Sequence, residues 1–153
     1  MNKYTEEEIA KLQRNLSLIR NAGGWTMQQF GDMIGVTKQT ICNLEKDFKD
    51  TPTMSLTQYL AIRTVLDYEI KEHPNNELLK STVNLCLNTD KISKNDSDKM
   101  KAFVSGAKKS GLDEEAIIAG VAALLGITVA ALISPTAITT AGNWVAKLLF
   151  DRK

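Results

Sequence analysis

Residues that build metal centres and disulfide frameworks are scarce in this chain. Its 153 residues include two cysteines and one histidine. Cys42 and Cys86 lie far apart and have no metal-ligand spacing, so neither a zinc site nor a disulfide framework is predicted. Both cysteines are expected to act as small apolar residues in a reducing cytosol. His73 precedes Pro74 at the expected end of a helix and is interpreted as a surface histidine.

Patterns that support catalysis are also missing from the sequence. It contains no nucleophile beside a base, no glycine loop that could hold a phosphate and no cluster of metal ligands. The sequence therefore predicts a protein that is not an enzyme, with no catalytic residue, no cofactor and no metal. The acidic run Glu6–Glu8 close to Met1 is unlike a signal peptide, so a cytoplasmic location is expected.

A large excess of positive charge is absent too. The formal net charge of the chain is +1. Residues 1–74 carry nine Lys and Arg against ten Asp and Glu, which gives a net charge of −1 for this part. This balance argues against strong non-specific binding to DNA, which depends on neutralising phosphates. Any nucleic-acid contact would need directed base contacts, a second copy of the chain, or both.

The most informative stretch runs from Trp25 to Glu45, with the sequence WTMQQFGDMIGVTKQTICNLE. It predicts two short helices joined by a tight turn. Thr26 can cap the first helix and Gln29 can complete a capping box, while Trp25 and Phe30 can form a hydrophobic staple.

The residues after the first helix predict the turn and the second helix. Gly35 is placed where a chain reversal needs a positive φ, and Thr37 can cap the second helix. Gly31 is a small residue on the side of the first helix that faces its partner. Ile41 and Leu44 are three residues apart and are predicted to pack inward.

Polar side chains are left on the outer face of this pair of helices. Gln and Asn side chains can bond two atoms of an adenine edge, and Lys can reach guanine acceptors or a phosphate. The alternative is that these residues form an ordinary solvated face. The candidate DNA contacts are Gln28, Thr37, Lys38, Gln39, Thr40, Asn43 and Lys46.

Several short motifs together resemble the lambda-repressor/Cro family, also called the XRE family. The resemblance covers about residues 5–70, and the C-terminal part is not recognised. The matching motifs are Leu16-x-x-Ile19-Arg20, Trp25-Thr26-Met27-Gln28-Gln29-Phe30, Gly35-Val36-Thr37 and Gln39-Thr40-Ile41-x-x-Leu44-Glu45.

The resemblance implies an all-α fold in which the second helix of the pair enters the DNA major groove. Two positions depart from the family pattern. The family usually has Ala at the position of Gly31, a difference that is expected to be harmless for packing but to weaken the helix. It often has Gln at the position of Met27, where the amide clamps a phosphate. Since Met27 cannot do this, the clamp is assigned to Gln28, Thr37 or backbone amides.

The remaining apolar patterns predict a five-helix N-terminal domain, a polar linker and a C-terminal helical hairpin. The first helix is expected from Thr5 to Asn21, and later helices from Ser55 and from Asn76 to Leu87. Another short helix is expected over residues 97–109. The predicted division is 1–88 for the DNA-binding domain, 89–97 for the linker and 98–153 for the C-terminal region.

The C-terminal region contains a long uncharged segment, Ala116 to Ala146. One helix is predicted from Asp113 to Ser134, followed by an amphipathic helix over 135–150. Two interpretations are open: Ile117 to Ile138 crosses a membrane, or the two helices form the core of a soluble oligomer. The small residues Ala122, Gly126 and Ala130 would let two such helices pack closely.

These observations lead to three functional hypotheses. The first is a sequence-specific regulator, a repressor in its simplest form, that binds double-stranded DNA as a dimer or higher oligomer. The second is an assembly or membrane-anchoring protein of a plasmid or phage that is tied to DNA. The third is an antitoxin-like module that binds a protein.

Overall fold

The computed structural model describes residues 2–88, 92–132 and 143–150. In these residues all regular secondary structure is α-helical, as predicted. The ten helices are Lys3–Arg14 (α1), Leu16–Gly23 (α2), Met27–Ile34 (α3), Lys38–Leu44 (α4), Leu56–Glu72 (α5), Glu77–Leu87 (α6), Lys94–Lys109 (α7), Glu114–Leu125 (α8), Val129–Leu132 (α9) and Asn143–Leu149 (α10).

The first predicted helix is divided in two and begins earlier than expected. Asn2, and not Thr5, caps α1: its Oδ1 accepts a hydrogen bond of 2.8 Å from the Thr5 amide. Asn15 separates α1 from α2 with φ −102° and ψ 8°. Its side-chain amide donates to the Lys11 carbonyl at 2.8 Å. An Asn side chain competes in this way for backbone groups of its own helix, which the apolar periodicity alone does not reveal.

The core is built from the apolar stripes of α1, α2, α5 and α6. Ile9, Leu12, Leu16 and Ile19 recur at helical spacing in the sequence, and all four are fully buried. Helix α6 ends at Leu87 as predicted and is capped by Asn76, where the predicted helix began; Cys86 on this helix is buried. Burial raises the pKa of the Cys86 thiol to about 12, because the thiolate would be poorly solvated there.

Helix α7 begins three residues before the predicted helix. Ser93 caps it, and the Asp96 side chain completes a capping box. Met100 and Val104 are fully buried, and the helix packs along α2. The side chains of α7 therefore lie in the same buried cluster as those of α1 and α2. The division of the chain into two domains stays a prediction.

The apolar C-terminal segment is not one continuous helix. Helix α8 starts at the predicted cap, Asp113, but ends at Gly126, which has φ 71°. The Ile127 amide donates to the Ala122 carbonyl at 3.0 Å, which closes the helix end. Thr128 then caps α9 by accepting from the Ala131 amide at 3.1 Å. The predicted helix from 113 to 134 is wrong because Gly126 reverses the chain within it.

The end of α8 at Gly126 bears on the interpretation of Ile117 to Ile138 as a segment that crosses a membrane. In the described parts of the chain, no helix has the length and apolar character needed to cross a membrane. Ala122, Gly126 and Ala130 do not share one helix, so the predicted close-packing series is wrong. The predicted stop at Ser134-Pro135 lies outside the described residues, as does the start of the last predicted helix.

Helix α10 packs against α5 through Trp144. The indole Nε1 donates to Asp67 Oδ2 at 2.6 Å. The Arg63 guanidinium lies over the Trp144 ring, 4.7 Å from its centroid. Tyr59 meets the same ring edge-on, with a centroid distance of 5.7 Å. These contacts fix the chain's last described helix to the N-terminal helices.

Candidate DNA interface

The first helix of the central pair, α3, is held by the predicted cap. The Gln29 amide donates to Thr26 Oγ1 at 3.1 Å, and the Thr26 amide donates back to Gln29 Oε1 at 2.9 Å. The Trp25 and Phe30 rings stack at a centroid distance of 5.5 Å with an interplanar angle of 13°. The capping box and the staple are both confirmed, and they determine where α3 begins.

The turn between α3 and α4 depends on two glycines. Gly35 ends α3 with φ 90°, a conformation that glycine adopts without steric cost. Gly31 lies where the chain after the turn crosses α3. A Cβ atom at Gly31 would lie 2.7 Å from the Val36 carbonyl oxygen and 3.3 Å from the Thr37 carbonyl carbon. The two helices therefore approach each other more closely than a side chain at this position would allow.

Helix α4 presents one apolar and one polar face. Ile41 and Leu44 are buried, as predicted. Thr37 caps the helix by accepting from the Thr40 amide at 3.1 Å. On the opposite face Gln39 Nε2 donates to Asn43 Oδ1 at 3.0 Å. Because both side chains are exposed, they can exchange this bond for bonds to a base edge.

The other predicted contact residues flank this pair. Lys38 precedes it in the first turn of α4, and Lys46 follows the helix; both are exposed. Gln28 is exposed on α3, where its Nε2 donates to Asp32 Oδ1 at 2.9 Å. The Asp32 carboxylate opposes a phosphate near Gln28, so Gln28 is the least favourably placed of the seven residues.

An ion pair anchors the end of α4 to α2. Arg20 Nε donates to Glu45 Oε2 at 2.6 Å, and Arg20 Nη2 donates to Glu45 Oε1 at 3.0 Å. The Arg20 Nη1 atom also donates to the Trp25 carbonyl at 2.9 Å. The exposed fractions of the two side chains are 12% and 7%. This bidentate pair joins α2, the start of α3 and the end of α4.

Gln13 provides a second anchor for the same helix end. Its Nε2 donates to the Leu44 carbonyl at 3.1 Å and to Thr53 Oγ1 at 2.6 Å. Its Oε1 accepts from the amides of Thr53 and Met54, both at 2.9 Å. Gln13 therefore satisfies a carbonyl that the last turn of α4 leaves without a helical partner. It also ties the loop after α4 to α1.

Residues 16–56, which run from α2 to the first residue of α5, match the family model described as helix-turn-helix. This segment is therefore a helix-turn-helix unit, which is consistent with the resemblance to the lambda-repressor/Cro family. It covers a little over a quarter of the chain and supports a role in DNA binding. No curated protein and no solved structure matches the chain.

The sequence-based prediction did not identify the contacts of two groups that support the helix-turn-helix unit. Arg20 and Glu45 belonged to the family motif, but their pairing depends on a contact between two separate helices. Gln13 is a polar residue on the apolar face of α1, four positions after Ile9, and that placement is the signal that could have identified it.

Among residues 2–88, 92–132 and 143–150, no cluster of His, Cys, Asp or Glu could hold a metal ion.

An alanine at position 31, which the family usually has, would make a close contact with the chain after the turn. In a typical helix Gly→Ala is stabilising by about 1 kcal/mol. Here the new methyl group would press on backbone atoms of Val36, which cannot rotate away. We expect Gly31→Ala to lose that gain and to leave the protein no more stable than the wild type, as measured by urea unfolding. Gly106→Ala, in α7 with open space around its Cβ position, is the matched control and should be stabilising. An equal gain at both glycines would contradict the close approach.

Proposed function

We propose that the protein is a sequence-specific transcriptional repressor that inserts α4 into the DNA major groove. The observation that carries the proposal is the exposed polar face of α4, held in place by buried groups on its inner side. Gln39 and Asn43 would read base edges. Lys38 and Lys46, together with the hydroxyls of Thr37 and Thr40, would contact bases or phosphates near the two ends of the helix.

We further propose that two or more copies bind together. The net charge of −1 in residues 1–74 supports this, because a single near-neutral domain gains little from phosphate neutralisation. Exposed apolar side chains on α8 and the following residues, including Leu124, Ile127 and Val129, offer surface for self-association. Selection of duplexes from a random pool should return two half-sites separated by about one helical turn, or 10 base pairs.

The assignment of α4 can be tested by comparing a selected duplex with a random-sequence duplex. We expect Gln39→Ala and Asn43→Ala each to reduce discrimination between the two duplexes by about 1–3 kcal/mol, because each removes a proposed base contact. Lys46→Ala should weaken binding to both duplexes by a similar factor, because a phosphate contact carries no sequence information. Fluorescence anisotropy titrations at one fixed salt concentration provide both affinities.

Two exposed residues outside the helix-turn-helix unit serve as controls. Asn75→Ala removes an amide and Lys71→Ala removes a positive charge, in both cases at an exposed position outside residues 16–56. Neither control should alter discrimination. If the α4 variants bind the selected duplex as tightly as these controls do, another surface of the protein recognises DNA and the assignment of α4 is wrong.

A further inference from the structure

A polar groove lies beside the helix-turn-helix unit, between the end of α1, the loop after α4 and the first turns of α7. Four cationic side chains line it: Arg14, Lys46, Lys94 and Lys101. Lys46 is also one of the predicted DNA contacts. The groove is therefore continuous with the proposed DNA-binding surface and extends it onto α7, outside the segment that matches the family.

The acidic residues of the groove offset only part of this charge. Glu45 is paired with Arg20 at 2.6 Å, so its charge is already compensated. Asp98 lies 3.9 Å from the Lys101 ammonium. Asp47 is the remaining acidic residue of the lining. In the described parts of the chain, Lys94 has no carboxylate within ion-pair distance. Among the described residues, no carboxylate therefore competes with an external anion for this charge.

The two lysines of α7 are presented by a well-anchored helix. Lys94 and Lys101 are seven residues apart, which places them on one face, two turns from each other. Met100 and Val104 are fully buried on an adjacent face and attach α7 to the core. The spacing along the helix axis is about 10 Å, which is within reach of successive phosphates of one DNA strand.

We propose that Lys94 and Lys101 of α7 bind the DNA phosphate backbone beside the half-site that α4 occupies. This inference rests on the proposed function of α4. It explains how a domain of near-neutral charge obtains phosphate contacts: they come from residues outside the helix-turn-helix unit. Lysines of this kind position the protein on the duplex and add affinity without adding sequence preference.

The variant Lys94→Gln/Lys101→Gln tests the proposal against a control of equal charge change, Lys71→Gln/Lys99→Gln. Lys99 is exposed on the same helix, and neither control lysine lines the groove. Binding of the full chain to a selected duplex of about 40 base pairs, four helical turns, is measured across a salt series. We expect the slope of log affinity against log salt to become shallower by about 1.8 in the test variant, or about 0.9 for each phosphate that is no longer neutralised. The control should keep the wild-type slope.

A second measurement separates direct binding of phosphates from a general change in charge or folding. When the duplex is trimmed to the half-sites alone, the flanking phosphates are gone, so the test and control variants should bind with the same affinity. Equal salt slopes for test and control on the long duplex would overturn the proposal. If Gln39→Ala still loses discrimination in that case, the function proposed for α4 stands. If the wild-type chain binds no duplex, both proposals fail.

Discussion

Glu45→Ala is expected to destabilise the protein by about 2–4 kcal/mol, because it leaves the Arg20 guanidinium largely buried without its carboxylate partner. Arg20 and Glu45 are only 12% and 7% exposed, so water cannot fully replace the missing carboxylate. The loss is large compared with the total stability of a small domain. Chemical denaturation monitored by tryptophan fluorescence and by circular dichroism measures the change.

The ion pair can be distinguished from a simple packing effect by a double-mutant cycle. Arg20→Met combined with Glu45→Leu removes both charges and keeps apolar volume, so much of the stability should return. Glu7→Ala breaks an ion pair with Lys3 in which the Glu7 side chain is 63% exposed and the Lys3 side chain is 89% exposed. This substitution should change stability little. A loss at Glu45 no greater than that at Glu7 would show that the pair does not hold α4 in place.

Gln13→Leu is the second substitution with a large expected effect. Leucine has a similar volume but cannot donate to the Leu44 carbonyl or accept from the Thr53 and Met54 amides. We expect a loss of about 2–4 kcal/mol, because buried backbone groups would be left unpaired. Hydrogen exchange should also accelerate at the Met54 amide, which directly reports on the loop after α4.

The matched control for this substitution is Gln28→Leu. Gln28 is exposed, and its one side-chain partner is the exposed Asp32, so the same chemical change should leave stability nearly unaffected. Equal losses of stability at both positions would mean that the Gln13 bonds contribute nothing specific. Since Gln13 is buried and is not one of the proposed DNA contacts, Gln13→Leu should lower DNA affinity only to the extent that it loosens the end of α4.

Much of the N-terminal fold could be predicted because its signals are local. A capping box links residues three positions apart, and a staple links residues five positions apart. Thr26, Gln29 and Ser55 could therefore be assigned from the sequence, and the structure places them as predicted. The exposed face of α4 followed from the spacing of Ile41 and Leu44, which determines which side chains are left outside.

Local sequence signals did not predict the helix boundaries at which a polar side chain bonds to a backbone group. Asn15 breaks the first helix through a bond to the Lys11 carbonyl, and Asn2 caps it in place of Thr5. Gly126 ends α8 within an apolar run of uniform hydropathy. A glycine inside a helical pattern is compatible with both continuation and termination, and only the surrounding packing selects between them.

The helix that we propose to face DNA could be identified from one short stretch of sequence, because caps, turn glycine and inward apolar residues share a single register there. The groups that hold this helix were decided only in three dimensions. Arg20 meets Glu45, Gln13 meets Leu44, and α7 comes to lie beside Lys46. These contacts join residues far apart in the chain, and their formation depends on the packing of whole helices. Sequence spacing carries no record of such contacts.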